Sequence, residues 1–247
     1  MIKKTFSTLK KNPKIILLML FPFLWRLIRI FWLDVISFLI FLVVWVVIIY
    51  PSAQYLVYEA CINNVKKGWH KKGMQYWCRP LMLALIIGIA AFALTFIWDT
   101  AIKLLFMHTD GKAMRILRSV LDRLYMICLF VFTACGNAAI FAEEKISNGF
   151  RNFLKAGRMH FMKLFAVVFV AALPYSARYV LSLTDFRWSS IPNMMLVVDV
   201  GSSLWLWIMV SFVSVFAMHC YLDYKDHEEI KWDLPYEENI DVTSSKK

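Results

Sequence analysis

Two stretches of this chain, "DVISFLIFLVVWVVIIY" and "LWLWIMVSFVSVFAM", stay apolar for longer than the core of a water-soluble domain can absorb. A helix on a soluble domain is apolar along one stripe, and a buried strand rarely exceeds about ten residues. A run that is apolar on every side needs a solvent like itself, which is the interior of a bilayer. Only α-helices and closed β-barrels satisfy every backbone polar group there. A barrel would alternate polar and apolar residues in segments of roughly ten, and these runs do not alternate. The fold class that follows is all-α, a polytopic bundle of membrane helices.

The apolar runs predict six transmembrane helices, at about 15–33, 34–58, 80–98, 124–142, 161–181 and 192–222. Each supplies roughly 19 residues or more, enough to cross a ~30 Å hydrocarbon layer at ~1.5 Å per residue. Residues 1–222 therefore read as a single membrane domain. The remainder, 223–247, carries eight acids and four lysines, a composition that predicts a disordered acidic tail. The basic start and first apolar run imitate a signal peptide. They lack small residues at a cleavage position, so the first helix is expected to stay as an anchor. Arg26 and Arg29 near its end must snorkel to headgroups or face protein or water.

The net charge is +11, with only 18% of residues charged, and its distribution matters more than its size. Residues 1–14 hold five lysines and no acid, 59–79 hold five basic residues and one acid, and 143–163 hold five and two. These clusters precede the first, third and fifth runs. Lys and Arg beside membrane helices keep to the cytoplasmic side, so the pattern predicts three hairpins, cationic elbows inside, and both termini in the cytoplasm. The loop 99–123 opposes this with five basic residues against three acids, but the inner segments total fifteen against three. Cations spread along membrane boundaries are not a nucleic-acid surface, and no nucleic-acid partner is expected.

One elbow shows its chemistry directly. In "NGFRNFLKAGRMHF" and its flanks, helical spacing puts Ile146, Phe150, Phe153, Leu154, Gly157 and Phe161 on one face, with Arg151, Lys155 and Arg158 on another. An apolar stripe beside a cationic stripe lies flat among headgroups, which predicts an amphipathic interfacial helix leading into the fifth span. "GWHKKGMQYW" offers Trp69, Tyr76 and Trp77 as interfacial anchors, as a short helix or a bent loop. Ile2, Phe6 and Leu9 share a face at the N-terminus. Headgroup contacts are expected from Lys10, Lys11, Lys71, Lys72, Arg151, Lys155 and Arg158, and the implied partners are membrane lipids, chiefly anionic ones. A partner membrane protein is the other candidate.

Chemistry-bearing motifs are missing. The five histidines make no H-E-x-x-H spacing, and the five cysteines make no C-x-x-C pair. No phosphate loop, Rossmann fingerprint or G-x-S-x-G elbow occurs, so no cofactor, metal or catalytic set is expected. Glu59, Glu143 and Glu144 form either a cation or proton site or ion pairs with Lys66, Lys67, Lys145 or Arg151. Arg178 and Asp199 each interrupt an apolar run near its outer end and suggest a polar cluster there. Ala84 with Gly88, and Ala134 with Ala138 and Ala142, are spaced for close helix approach, and Asn137 either bonds across the bundle or lines a cavity.

"FSTLKKNPKIILL", "AAIFAEEKISNGFRNFLKAGRMHFMKLF" and "MHCYLDYKD" resemble segments of bacterial integral membrane proteins related to the membrane domain of glycerophosphoryl diester phosphodiesterases. The resemblance covers nearly the whole chain and implies six helices in a bacterial cytoplasmic membrane. It brings no phosphodiesterase domain, catalytic residue or substrate. The expected function is a non-catalytic membrane protein that organises lipid or a partner protein at the cytoplasmic leaflet. A small transporter or transporter subunit is the alternative, and a lipid-modifying enzyme comes third. Transport requires ionisable groups around a central cavity. An organising protein requires a packed interior with a groove at its edge, and an enzyme requires acids and histidine converging at headgroup depth.

Overall fold

The computed structural model describes residues 1–24, 35–105, 111–182 and 194–233. Every regular element among them is helical. In chain order these are α1 (Ile2–Lys11), α2 (Lys14–Met19), α3 (Val35–Val43), α4 (Tyr50–Cys61), α5 (Trp69–Gln75), α6 (Cys78–Leu105), α7 (Lys112–Ala142), α8 (Ile146–Ser182) and α9 (Met194–Asp233). A π-helical stretch, Val44–Ile49, fuses α3 to α4. Among the described residues, five helices are long and apolar enough to cross a membrane: Leu39–Cys61, Cys78–Leu104, Met114–Ala142, Ile146–Pro174 and Val197–Glu228. They correspond to the second through sixth runs, and the chain is an all-α, multi-pass membrane bundle. Most of the first run's second half, 25–33, lies outside the described residues.

The π-helical stretch has a local cause. Pro51 has no N–H to donate to the carbonyl four residues back, and its ring crowds that carbonyl. The chain widens just upstream, and the Tyr50 N–H reaches Trp45 O instead. Ser52 Oγ donates back to Ile48 O at 2.6 Å, a local side-chain bond within the same stretch.

Several helices outrun the hydropathy that predicts them. Helix α7 begins at Lys112 and α6 ends at Leu105, so much of the 99–123 loop is helical. Helix α9 continues to Asp233, so the tail's first eleven residues are helical instead of disordered. Its remainder, 234–247, lies outside the described residues. Helix α8 takes in the whole "NGFRNFLKAGRMHF" elbow, which extends the fifth span as one continuous helix instead of lying apart as a flat element. At 37 and 40 residues, α8 and α9 reach roughly 55 and 60 Å, well beyond a ~30 Å hydrocarbon layer.

The core lies between α4, α7, α8 and α9. Leu56, Val131, Ile140, Leu164, Val215 and Tyr221 are almost wholly enclosed there. Helix α6 is different. It touches α7 through Leu83 against Gly136 and through Trp98, which stacks on Tyr125 at 5.3 Å and donates to Asp122 Oδ1 at 2.9 Å. Most of its remaining surface is exposed and apolar. Ala84 and Gly88 lie on that exposed surface and serve no close approach within the described residues, whereas Ala138 and Ala142 are buried as their spacing predicts.

Candidate functional site

The segment 62–77, which contains α5, and the turn 143–145, together with α1 and the last turns of α9, gather at one end of the bundle. Arg79 holds that end together. Its guanidinium is buried, and it donates from Nη1 to Ile140 O at 2.6 Å and Glu143 O at 2.7 Å, and from Nη2 to Glu144 O at 2.7 Å. It also sits 4.0 Å from the centre of the Tyr76 ring. A fixed fork of donors suits the unpaired carbonyls at a helix C-terminus, and the positive charge complements the helix dipole there. Sequence reading counts Arg79 only as one more elbow cation. Its position directly before Pro80, at the membrane boundary, is the signal that could have marked it.

The acids at this end find partners of several kinds. Glu59, almost wholly buried, accepts the backbone N–H of Lys66 at 3.0 Å, closing the turn beyond α4. Glu143 accepts the Tyr221 hydroxyl at 2.8 Å and lies 3.6 Å from Lys225 Nζ. The Glu144 side chain is exposed. The acids thus act as ties between elements, and they do not converge on one point. Among the described residues no group of three His, Cys, Asp or Glu side chains is arranged to hold a metal ion.

His160, in the elbow that opens α8, is buried between α8 and α9, with Nε2 3.4 Å from Asp223 Oδ2. Neither ring nitrogen has a well-formed hydrogen bond, so that contact is electrostatic in character. The elbow's cationic face is exposed as expected: Arg151, Lys155 and Arg158 all project outward, and Lys155 pairs with Glu228 at 4.0 Å. Lys10, Lys11, Lys71 and Lys72 are exposed at the same end. The second elbow is the short helix α5, seated on α4 so closely that a Cβ on Gly73 would stand 2.5 Å from Ser52 Cα.

Helix α1 lies against α9, with Thr8 Oγ1 3.1 Å from His219 Nε2 and the Phe6 and Phe212 rings 5.0 Å apart. Its two flanks open onto different spaces. On one flank Ile2, Phe6, Leu9, Lys10 and Pro13 border a groove of about 840 Å³, whose other wall is Val167 and Val170 of α8 with Trp205, Ile208 and Met209 of α9. The surface is apolar except at the Lys10 rim. On the other flank Lys4, Ser7, Thr8 and Lys11 face His219, Asp223 and Asp226 of α9 across a polar cavity of about 420 Å³, closed by Asn63. Sequence reading finds the shared face of Ile2, Phe6 and Leu9 but not the cavity, whose walls are more than 200 residues apart in the chain.

A third space of about 220 Å³ lies within the bundle, lined by Tyr50, Arg123, Thr133, Asn137, Ser214 and several aliphatic side chains. Asn137 lines this cavity and donates from Nδ2 to Thr133 O of its own helix at 3.1 Å. Among the described residues no carboxylate lines it. At the opposite end, Asp199 is half-buried and its carbonyl accepts from Ser202 Oγ at 3.2 Å, while the Arg178 side chain lies outside the described residues. Arg26, Arg29, Asp34 and Asp185 also lie outside them. No protein-family model matches the chain, and neither the curated proteins nor the solved structures contain a match.

Proposed function

We propose that this is a non-catalytic membrane protein that holds lipid at the leaflet next to its basic end. The observation that carries the reading is the apolar groove beside α1, walled by α8 and α9 and rimmed by Lys10. An apolar trough wide enough for a hydrocarbon chain, with a cation at its mouth, complements an anionic phospholipid in both of its parts. The exposed Lys11, Lys71, Lys72, Arg151, Lys155 and Arg158 at the same end add to that attraction. Helix α1, with its apolar flank toward the groove and its polar flank opposite, would lie at the headgroup boundary. Positive charge on inner segments makes this the cytoplasmic leaflet, with both termini inside. By resemblance, the membrane is a bacterial cytoplasmic membrane.

A second reading, transport, draws support from the central cavity and Arg123. It needs an ionisable relay, and the lining offers neutral side chains beside that one arginine. Purification in native nanodiscs followed by lipid mass spectrometry tests the first reading. Retention of anionic phospholipid above its bulk fraction, lost on Lys10→Glu with Phe6→Glu, is the expected result. A lipid composition equal to the bulk membrane would overturn it.

A further inference from the structure

The polar cavity on the other flank of α1 is built from walls of opposite charge. Lys4 and Lys11 stand one α-helical face apart from the apolar groove, and Asp223 and Asp226 stand across from them on α9. Among the described residues, neither lysine and not Asp226 approaches an opposite charge to ion-pairing distance. Two charged walls held apart by a cavity of about 420 Å³ are poorly served by one another. At surface dielectric, Coulomb attraction falls off with distance and is screened over ~8 Å. A single anion would satisfy the lysines and be repelled by the aspartates, and a single cation would meet the reverse. A dipolar ligand with its anionic and cationic groups a few ångströms apart satisfies both walls together.

We infer that this cavity binds a phosphate ester that also carries an ammonium group, with phosphate toward Lys4 and Lys11 and ammonium toward Asp223 and Asp226. Phosphoethanolamine has this chemistry, whether as the headgroup of a phospholipid or as the free phosphoamine. Placement favours contact with a headgroup. Along α9, the cavity residues are centred about 14 positions beyond those of the apolar groove, roughly 21 Å at 1.5 Å per residue. That puts the cavity at headgroup level when the groove is at acyl-chain level. Ser7, Thr8 and Asn63 supply neutral polar groups to the same space. The ligand's chemistry stands on these charged walls alone; only its lipid source rests on the reading proposed above.

The test uses the full chain in detergent and in nanodiscs. Calorimetry in detergent compares O-phosphoethanolamine, inorganic phosphate and ethanolamine. The zwitterion is expected to bind at least tenfold tighter than either single-charge probe, and Asp226→Asn and Lys11→Gln are each expected to weaken it at least tenfold. Asp226 and Lys11 are chosen because they are exposed, and matching helical circular dichroism confirms that the variants fold. In nanodiscs of mixed phosphatidylethanolamine and phosphatidylglycerol, enrichment of the former that Asp226→Asn abolishes identifies the lipid source. Binding of free phosphoethanolamine without such enrichment identifies the soluble one. Inorganic phosphate binding as tightly as the zwitterion, or Asp226→Asn binding unchanged, overturns the inference. If anionic lipid is still enriched through Lys10 in that case, the groove reading survives; if no lipid is enriched, that reading fails separately.

Discussion

Replacing Arg79 by alanine should open the basic end of the bundle. The wild-type guanidinium makes three charge-assisted bonds, of which the one to Ile140 O is buried and those to Glu143 O and Glu144 O are part-buried. Truncation leaves the Ile140 carbonyl without a partner in a site water cannot easily reach, at a cost of about 1–3 kcal/mol. The two part-buried carbonyls can hydrate, losing roughly 0.5–1.5 kcal/mol each, and the Tyr76 stacking adds about 0.5–1 kcal/mol. Because all these contacts share one desolvated group they do not add in full, and a total of about 3–5 kcal/mol is expected. Lysine keeps the charge but not the fork, so Arg79→Lys should lose roughly half as much. Unfolding in mixed micelles of increasing sodium dodecyl sulfate fraction, followed by far-ultraviolet circular dichroism, measures both variants. If Arg79→Ala unfolds within about 1 kcal/mol of the parent, or if lysine rescues nothing, the clasp is not what holds α6 to the end of α7.

Other variants probe separate contacts. Gly73→Ala places a methyl group against the Ser52 backbone and should cost about 1–3 kcal/mol through forced displacement of α5, read by the same unfolding assay. Tyr221→Phe removes the 2.8 Å bond to Glu143 and should cost about 1–2 kcal/mol, with the loss absent when the acceptor is already removed by Glu143→Ala. Neutralising Lys71, Lys72, Arg151 or Arg158 to glutamine should weaken the local preference for anionic phospholipid by about fivefold per residue, since each cation near the surface contributes roughly 1 kcal/mol. Mass spectrometry of the lipid retained around the protein in mixed anionic and zwitterionic nanodiscs, repeated at increasing salt, would show that difference shrinking.

What the sequence makes legible is what depends on solvent transfer. Runs such as 35–50 and 204–218 have no stable environment but hydrocarbon, so the second through sixth helices can be placed from composition alone. Their ends are another matter. Helices α8 and α9 run on beyond the apolar runs because they pack on one another, through buried His160 beside Asp223 and the Lys155–Glu228 pair. Hydropathy cannot register polar residues that are stabilised by a neighbouring helix. The cationic rim is legible for the same reason as the spans, because Lys and Arg partition by side of the membrane. Arg79 is not, since burial beneath three carbonyls is a tertiary fact. The polar cavity depends on bringing residues 4–11 beside 219–226, which no local spacing encodes.

A bundle that crosses the membrane with its cationic elbows on one side exposes those elbows to one compartment only. In a cysteine-depleted background, Lys72→Cys and Lys155→Cys mark two elbows, and Gly111→Cys marks the opposite end. All three positions are exposed. Labelling with a membrane-impermeant maleimide is compared between intact cells and inverted vesicles. Positions 72 and 155 should label only in inverted vesicles and position 111 only in intact cells. Labelling of 72 and 155 from opposite faces, or of 111 from the same face as both, would contradict it.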